Sequence, residues 1–544
     1  MKIIRLLLIV CYFSSMQLIG VDDTLSQNYS KSFFSSIFVS FETLVKKILI
    51  YQYPVAQPPN PVTVQKTLDI CKQEKEFLNN RLLSVQRVLK NEFGIDKPLA
   101  IAFGCSGGGN RAMIGTLGLL SGAIRSKVFD ASLYLAGVSG SVWTIAPLCY
   151  LAAKSANPDP LRILSDMKND WSDVLSKDIS HVGIYPPPLL PFDKDDDFLS
   201  EIAKRFAYDQ PMSLIDIWGP IISHYSMELI GDNWMQVTWS SMVSEVQSGK
   251  IPLPLCASIY EIAPYHFEWF EISPFQSGCP RYGYIPTQYL GSGFKQNMLD
   301  SSQLRPEYPI SFYIGMCGSG FSFTLQDLCN QTNCTSLQDL FEEEENEFIK
   351  PNIFTNFLLN NPVVKNYIEN RIINILANRN QVTYAQFPQY SNEGSGTIGL
   401  FDAGIDFNFP IPLLVDRPQR PLDIVILYDS SSGDARSLHA ITTYCRNKSL
   451  PVPDMSQVTP QQLNASIMSV FNDPRSNSYD KTTPTYIYFP TKDINVNIAP
   501  YTTLNFRYLP ADIEFLANKM QQAFLSQLAA IKEIMQLVAV KRHA

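Results

Sequence analysis

Gly107, Gly108 and Gly109 run directly into Asn110 and Arg111, and a second turn, Gly137-Val138-Ser139-Gly140-Ser141, follows downstream. Few architectures can use both. Three glycines in a row leave backbone N–H groups open to an anion, and the arginine adds a fixed positive charge. A serine boxed by glycines sits on a turn too tight for flanking side chains, which is how a hydroxyl is exposed as a nucleophile between a strand and a helix. The flanks supply that context. Leu99 to Gly104 is a short apolar run ending in glycine, small and apolar residues dominate from Ala112 to Ile124, and Tyr134 to Gly137 is a second such run before a predicted helix from Gly140 to about Ala153. Both motifs therefore fall at strand-to-helix turns. Two tight turns without chemistry would leave the same pattern, and that reading stays open on these segments alone. A dinucleotide site fails because G-x-G-x-x-G is absent, and a P-loop fails because the Lys-Ser/Thr ending is missing.

An activated serine needs a base. The chain has five histidines, His181, His224, His266, His439 and His543, none of them in a glycine-rich or strand-end setting. Asp402 is in one: Thr397 to Phe401 reads as a short strand, Asp402 ends it, and Ala403-Gly404 turns the chain away. An ordinary aspartate, with a pKa of about 3.9, is a weak base toward a serine hydroxyl. Burial beside apolar neighbours such as Phe401 and Phe409 would raise that value and make the transfer workable. A turn cap is the competing reading of Asp402, and the residue types leave both open.

At this point the chain resembles a known family. Ser106-Gly-Gly-Gly-Asn-Arg111-Ala-Met, Gly137-Val-Ser-Gly-Ser141-Val-Trp143 and Asp402-Ala-Gly-Ile-Asp-Phe-Asn-Phe-Pro-Ile-Pro412, followed by Arg417-Pro-Gln-Arg420, resemble the catalytic domain of cytosolic phospholipase A2 and fungal phospholipase B. Cys71 to Phe77, Gln210 to Gly219, Phe267 to Phe275, Tyr282-Gly283, Leu290 to Phe294 and Cys317 to Ser322 resemble further blocks in the family's order, so the resemblance runs from about residue 66 to residue 435. It implies an α/β fold of the patatin-like type, a central mixed β-sheet flanked by helices. Its other implication is a Ser-Asp dyad, with Ser139 as nucleophile and Asp402 as base, that needs no histidine. Gly108 and Gly109 would hold the oxyanion through their N–H groups, a role whose loss typically costs about 10²- to 10³-fold in rate. Arg111 and Arg420 would hold the substrate phosphate, with one extra residue, Asp416, placing Arg420 out of the family spacing. Asn110 stands where the family commonly has an aromatic, and Ala403 where it has a serine.

The resemblance thus implies a lipid acyl hydrolase for glycerophospholipids or lysophospholipids, acting through an acyl-serine at a membrane or micelle surface, without cofactor or metal. Acyl transfer would follow if an alcohol replaced water. Two rivals are an α/β-hydrolase esterase using His439, and a lipid-binding or host-interaction protein that keeps the fold without turnover.

Composition bears on partners and organisation. With 544 residues, 45% hydrophobic and 17% charged, the chain can bury a large core, and its net charge of −8 argues against nucleic acid as a partner. Lys2 and Arg5 before the apolar run Leu6 to Phe13 read as a signal peptide or anchor over 1–20, and so as export. Residues 21–65 read as an arm with a proline-rich linker, and 66–540 as the catalytic domain. The arm is too short for the calcium-dependent membrane domain of many relatives, so calcium-independent chemistry is expected. Asp193, Asp195 and Asp197 alternate as in a calcium loop, but Phe198 and Lys204 occupy the positions of its glycine and last glutamate, and a solvated loop is the better reading.

Of ten cysteines most read as buried thiols, with Cys329 and Cys334 as a candidate loop closure. Sequons begin at Asn28, Asn330, Asn333, Asn447 and Asn464. Tyr185 to Phe192 is a stiff apolar stretch read as a loop packed on the core, and Glu342 to Glu345 as a solvated helix start. From Ile513 to Val538 apolar residues recur at spacings of three and four, an amphipathic helix expected to dock on the core.

Overall fold

A computed structural model describes residues 53–176, 207–320, 384–390, 396–431, 435–491 and 507–542, apart from 214, 232 and 264–265, with isolated positions at 46, 47, 50, 51, 201, 204, 205, 501 and 505. The segments 1–20, Tyr185 to Phe192, Asp193 to Phe198 and Glu342 to Glu345, the pair Cys329 and Cys334, and the sequons at Asn28, Asn330 and Asn333 lie outside the described residues. By packing, the chain divides into two compact units, one of residues 1–56, 183–210 and 324–381, the other of residues 57–182, 211–323 and 382–544. Within the first, Lys46 pairs with Asp209 at 2.6 Å and Tyr208 Oη donates to the Tyr53 carbonyl at 2.7 Å. The second carries Gly107 to Arg111, Ser139 and Asp402.

Its centre is a mixed sheet of eleven strands among the described residues. They are β1 (Ile101–Cys105), β2 (Ser132–Val138), β3 (Leu253–Ala263), β4 (His266–Ile272), β5 (Ser277–Cys279), β6 (Gly283–Ile285), β7 (Ala385–Pro388), β8 (Thr397–Asp402), β9 (Ile424–Asp429), β10 (Ser469–Phe471) and β11 (Thr485–Pro490). The order is β10-β11-β9-β1-β2-β3-β4-β5-β6, with β8 pairing β3 and β7 beside that path. From β11 to β3 the strands are parallel. Every residue of β1, β2 and β9 is buried, so these strands are continuous apolar runs rather than alternating ones, as a sheet covered on both faces requires.

The strand ends explain how distant residues meet. Along one edge of β3, β2 pairs as far as Val138 opposite Ala257. The next two residues on that edge, Ser258 and Ile259, pair instead with Asp402 and Phe401 of the antiparallel β8, while β4 occupies the other edge. β2 and β8 therefore meet end to end on one strand, and Ser258 Oγ fixes the junction by donating to the Phe401 carbonyl at 2.6 Å. The carboxyl ends of β1 and β9 open at the same margin, where α/β sheets commonly hold ligands.

Helix α1 (Lys72–Phe93) packs on β2, α2 (Gly109–Arg125) follows β1, and α3 (Val142–Lys154) follows β2. The C-terminal amphipathic stretch is two helices, α4 (Pro510–Ser526) and α5 (Leu528–Arg542), bent by 50° rather than continuous. α4 lies along α2, and Ile513, Leu516, Met520, Phe524, Ile531, Met535 and Val538 are buried, so the stretch docks on the core. No single helix among the described residues is long and apolar enough to cross a membrane.

Arg81 of α1 ties this frame together. Its Nε donates to the Ser132 carbonyl at 2.9 Å, Nη1 to Gly249 and Lys250, and Nη2 to Phe129 and Asp130. Arg81→Met keeps the apolar stem and takes the guanidinium donors from five carbonyls, of which that of Phe129 keeps the Ser132 N–H and hydroxyl. Unfolding in urea should show a loss of about 2 to 3 kcal/mol, the range for buried acceptors left unpaired.

Candidate active site

Ser139 follows the last residue of β2 and opens a short 3₁₀ turn, Ser139–Ser141, that leads into α3. Its φ is +51°, a left-handed conformation uncommon for a residue with a side chain, and such strain clusters at reactive positions. The elbow is held by its neighbours: Ser141 Oγ lies 2.7 Å from Thr116 Oγ1 and donates to the Ser106 carbonyl. Gly140 has no room for a side chain, because a Cβ there would sit 2.0 Å from the Gly109 oxygen. The glycine loop and the serine turn are thus in backbone contact.

Asp402 meets the serine at the junction of β2 and β8. Ser139 Oγ donates to Asp402 Oδ2 at 2.7 Å, and the Gly404 N–H donates to Oδ1 at 2.8 Å. Only 4% of Asp402 and 8% of Ser139 is exposed. Burial raises the Asp402 carboxyl to about 6, against the opposing pull of the Ser139 and Gly404 hydrogen bonds. The carboxylate is therefore both a turn cap and a partner of the serine. Beside it comes the turn Gly318 to Gly320, with Gly320 against Asp402 Oδ2, Trp218 Nε1 donating to the Gly318 carbonyl and Trp143 Nε1 to that of Ile314.

The loop after β1 carries the anion-binding candidates. Gly108 has φ +139°, open to glycine alone, and a Cβ there would lie 2.6 Å from Ser430 Oγ and 3.2 Å from Arg111 Nη2. Among the described residues, neither Gly108 nor Gly109 donates its N–H to a protein acceptor. Gly109 also begins α2, whose first N–H groups have no partner within the helix. Arg111 stands in the first turn of the same helix, its Nη1 donating to the Tyr501 carbonyl at 2.7 Å. Ser139, Asp402, Gly108, Gly109 and Arg111 are thus brought to one margin of the sheet.

Arg420 is not among them, and its expected phosphate role is corrected. Its Nε and Nη2 bond Glu74 at 2.7 and 3.0 Å, its Nη1 and Nη2 bond Glu271 at 2.8 and 2.7 Å, and Nη1 also donates to the Leu413 carbonyl. The side chain is fully buried, with its charge balanced by two carboxylates. Nearby Arg417 stacks on Tyr284, 3.8 Å from the ring centroid, and donates to the Leu68 carbonyl at 2.7 Å. His439 is also elsewhere engaged: its Nε2 lies 2.7 Å from the Val458 carbonyl, whereas Ser139 is bonded to Asp402.

Two residues with no role assigned from sequence join the site. Asn408 and Ser430 both hold Gly107, the first within the Asp402 to Pro412 motif, the second at the end of the apolar run of β9. A polar residue directly after a buried strand that ends at the same margin is the signal that could have pointed to Ser430. The described cysteines are free, and burial raises the thiols of Cys105 and Cys279 to about 12, which leaves them unreactive. No group of three or more His, Cys, Asp or Glu placed to hold a metal occurs among the described residues.

A mixed sheet flanked by helices, with a glycine loop, an elbow serine and a strand-end aspartate at one margin, defines a patatin-like α/β catalytic domain. The chain belongs to the lysophospholipase catalytic domain family, whose model matches residues 99–457. It is 25% identical to human cytosolic phospholipase A2 zeta, over 87% of this chain and 62% of that relative, and 26% identical to human cytosolic phospholipase A2 epsilon, over 74% and 50%. The chain thus spans less than two thirds of these relatives' length. The solved structure of human GIVD cytosolic phospholipase A2 shares its fold, with a TM-score of 0.67 at 20% identity over 90% of this chain and 69% of that one. The expectation of export is corrected by the same relatives, which are named cytosolic phospholipases. A charged start followed by apolar residues is a local pattern that other N-terminal segments share.

Proposed function

We propose that this protein hydrolyses acyl esters of glycerophospholipids or lysophospholipids through Ser139 and Asp402. The observation that carries the reading is the 2.7 Å hydrogen bond from Ser139 Oγ to a buried Asp402 whose carboxyl is raised to about 6. Asp402 takes the proton as Ser139 Oγ attacks the ester carbon, and the Gly108 and Gly109 N–H groups meet the oxyanion. The leaving alcohol, a lysolipid or glycerophospho-alcohol, takes the proton back, and water then attacks the acyl-serine by the same route. Arg111 steers the phosphate, its planar guanidinium fork matching the phosphate oxygens. Base and oxyanion donors are all protein groups, so the chemistry takes no metal, and the lipid is met at a membrane or micelle surface.

A long-chain fluorophosphonate distinguishes this reading from a fold without turnover. We expect one adduct, on Ser139, and fatty acid release from lysophosphatidylcholine micelles that continues in EDTA. Folded protein that forms no adduct, or a Ser139→Ala variant that releases fatty acid as fast as the parent, would overturn it.

A further inference from the structure

We propose that Asn408 and Ser430 are positioning residues that aim the Gly108 N–H at the oxyanion, an inference that rests on the hydrolase reading above. Asn408 Nδ2 donates to the Gly107 carbonyl at 3.0 Å while its Oδ1 accepts the Gly107 N–H at 2.9 Å. Ser430 Oγ donates to the same carbonyl, and Ser430 is itself fixed by its N–H on Ser106 Oγ at 2.7 Å. Asn408 and Ser430 thus hold one carbonyl oxygen, with Ser106 Oγ a longer third donor at 3.4 Å. In a planar trans peptide the C=O of one residue and the N–H of the next point in opposite directions. The bonds that hold the Gly107 oxygen therefore turn the Gly108 N–H away from Asn408 and Ser430.

A restraint of this kind is needed because the unit joins two glycines. Glycine adopts positive and negative φ with similar ease, so a Gly-Gly peptide has little preference of its own between the two flipped orientations. One orientation offers an N–H to the oxyanion and the other a carbonyl oxygen, which repels it. Asn408 belongs to the segment that starts at Asp402, and its own N–H is held by Ser437 Oγ at 3.2 Å. A single stretch of chain therefore carries the base and the restraint on the oxyanion loop.

Asn408→Leu removes both bonds at similar volume, and Ser430→Ala removes one. With p-nitrophenyl butyrate we expect kcat to fall about 10²-fold for Asn408→Leu and about tenfold for Ser430→Ala, with KM nearly unchanged. The pH midpoint stays near 6, since Asp402 is untouched. Affinity for an acyl trifluoromethyl ketone, which forms an oxyanion on Ser139, falls with kcat, whereas affinity for an uncleavable ether lysophosphatidylcholine holds. Equal weakening of both ligands, a moved midpoint, or kcat within about threefold of the parent in the folded variants overturns the proposal. If Asn408→Leu does not fold, Ser430→Ala carries the same test. Ser139→Ala separates the two levels: retained activity there sinks the hydrolase reading itself, whereas its loss beside a fully active Asn408→Leu sinks only the positioning role.

Discussion

Asp402→Asn is expected to lower kcat for ester hydrolysis by about 10⁴-fold or more while making the folded protein more stable at neutral pH. The amide keeps the shape and can still accept the Gly404 N–H, but it cannot take the proton of Ser139. In the parent, kcat/KM should rise tenfold per pH unit below about 6 and level off above it, because the free protein must hold Asp402 ionised. The stability effect has the opposite sign. Burial raises the folded-state value above that of an exposed aspartate, about 3.9, so folding favours the protonated carboxyl. That contribution is fully present below about pH 4 and lost as pH rises through about 6, leaving a buried charge that costs on the order of 2 to 3 kcal/mol at neutral pH. Denaturant unfolding of parent and variant should therefore differ at pH 7 and converge toward pH 4. His439→Ala is the control, with kcat within about twofold of the parent, and a loss of several orders of magnitude there would favour a histidine triad instead.

Arg420→Met is expected to destabilise the fold by about 3 to 5 kcal/mol or more, the usual penalty for removing one partner from a buried ion pair. Here the guanidinium bridges two carboxylates, Glu74 of α1 and Glu271 of β4, so its removal leaves Glu74 buried without this cation and Glu271 with the longer Arg417 contact at 3.8 Å. Burial alone would push the Glu271 carboxyl up. Arg420 and Arg417 outweigh it, and the group stays below its ordinary value. Its stabilising contribution is thus present at neutral pH and lost on acidification through the lowered folded-state value. A phosphate-binding role predicts something different: a raised KM in a protein of unchanged stability. Urea midpoints and KM measured on the same preparation separate the two. The triple variant Arg420→Met, Glu74→Gln, Glu271→Gln should recover much of the loss, because it removes the charges together.

What sequence could reveal follows the range of each interaction. The strand before Gly107, the helix after it, the elbow at Ser139 and the strand ending at Asp402 are set by steric and hydrogen-bonding preferences within a few residues, and each falls where the local pattern places it. The continuous amphipathic helix was only half legible, since apolar spacing carries across the break at Gln527 while the backbone does not. Arg420 illustrates a different limit. An arginine in a motif near the site has the same local signature whether it faces a phosphate or two glutamates.

The candidate groups themselves, a glycine loop, a boxed serine and a strand-end aspartate, were determined by sequence alone, because turn and strand chemistry is local. Their union was decided by tertiary structure. Ser139 and Asp402 are 263 residues apart and meet only because β2 and β8 end against one another on β3. Asn408 reaches Gly107 across 301 residues, and the raised carboxyl of Asp402 reflects its burial in the folded chain. Long-range packing sets desolvation and facing, and those two quantities separate a reactive aspartate from a capping one and a structural arginine from a binding one.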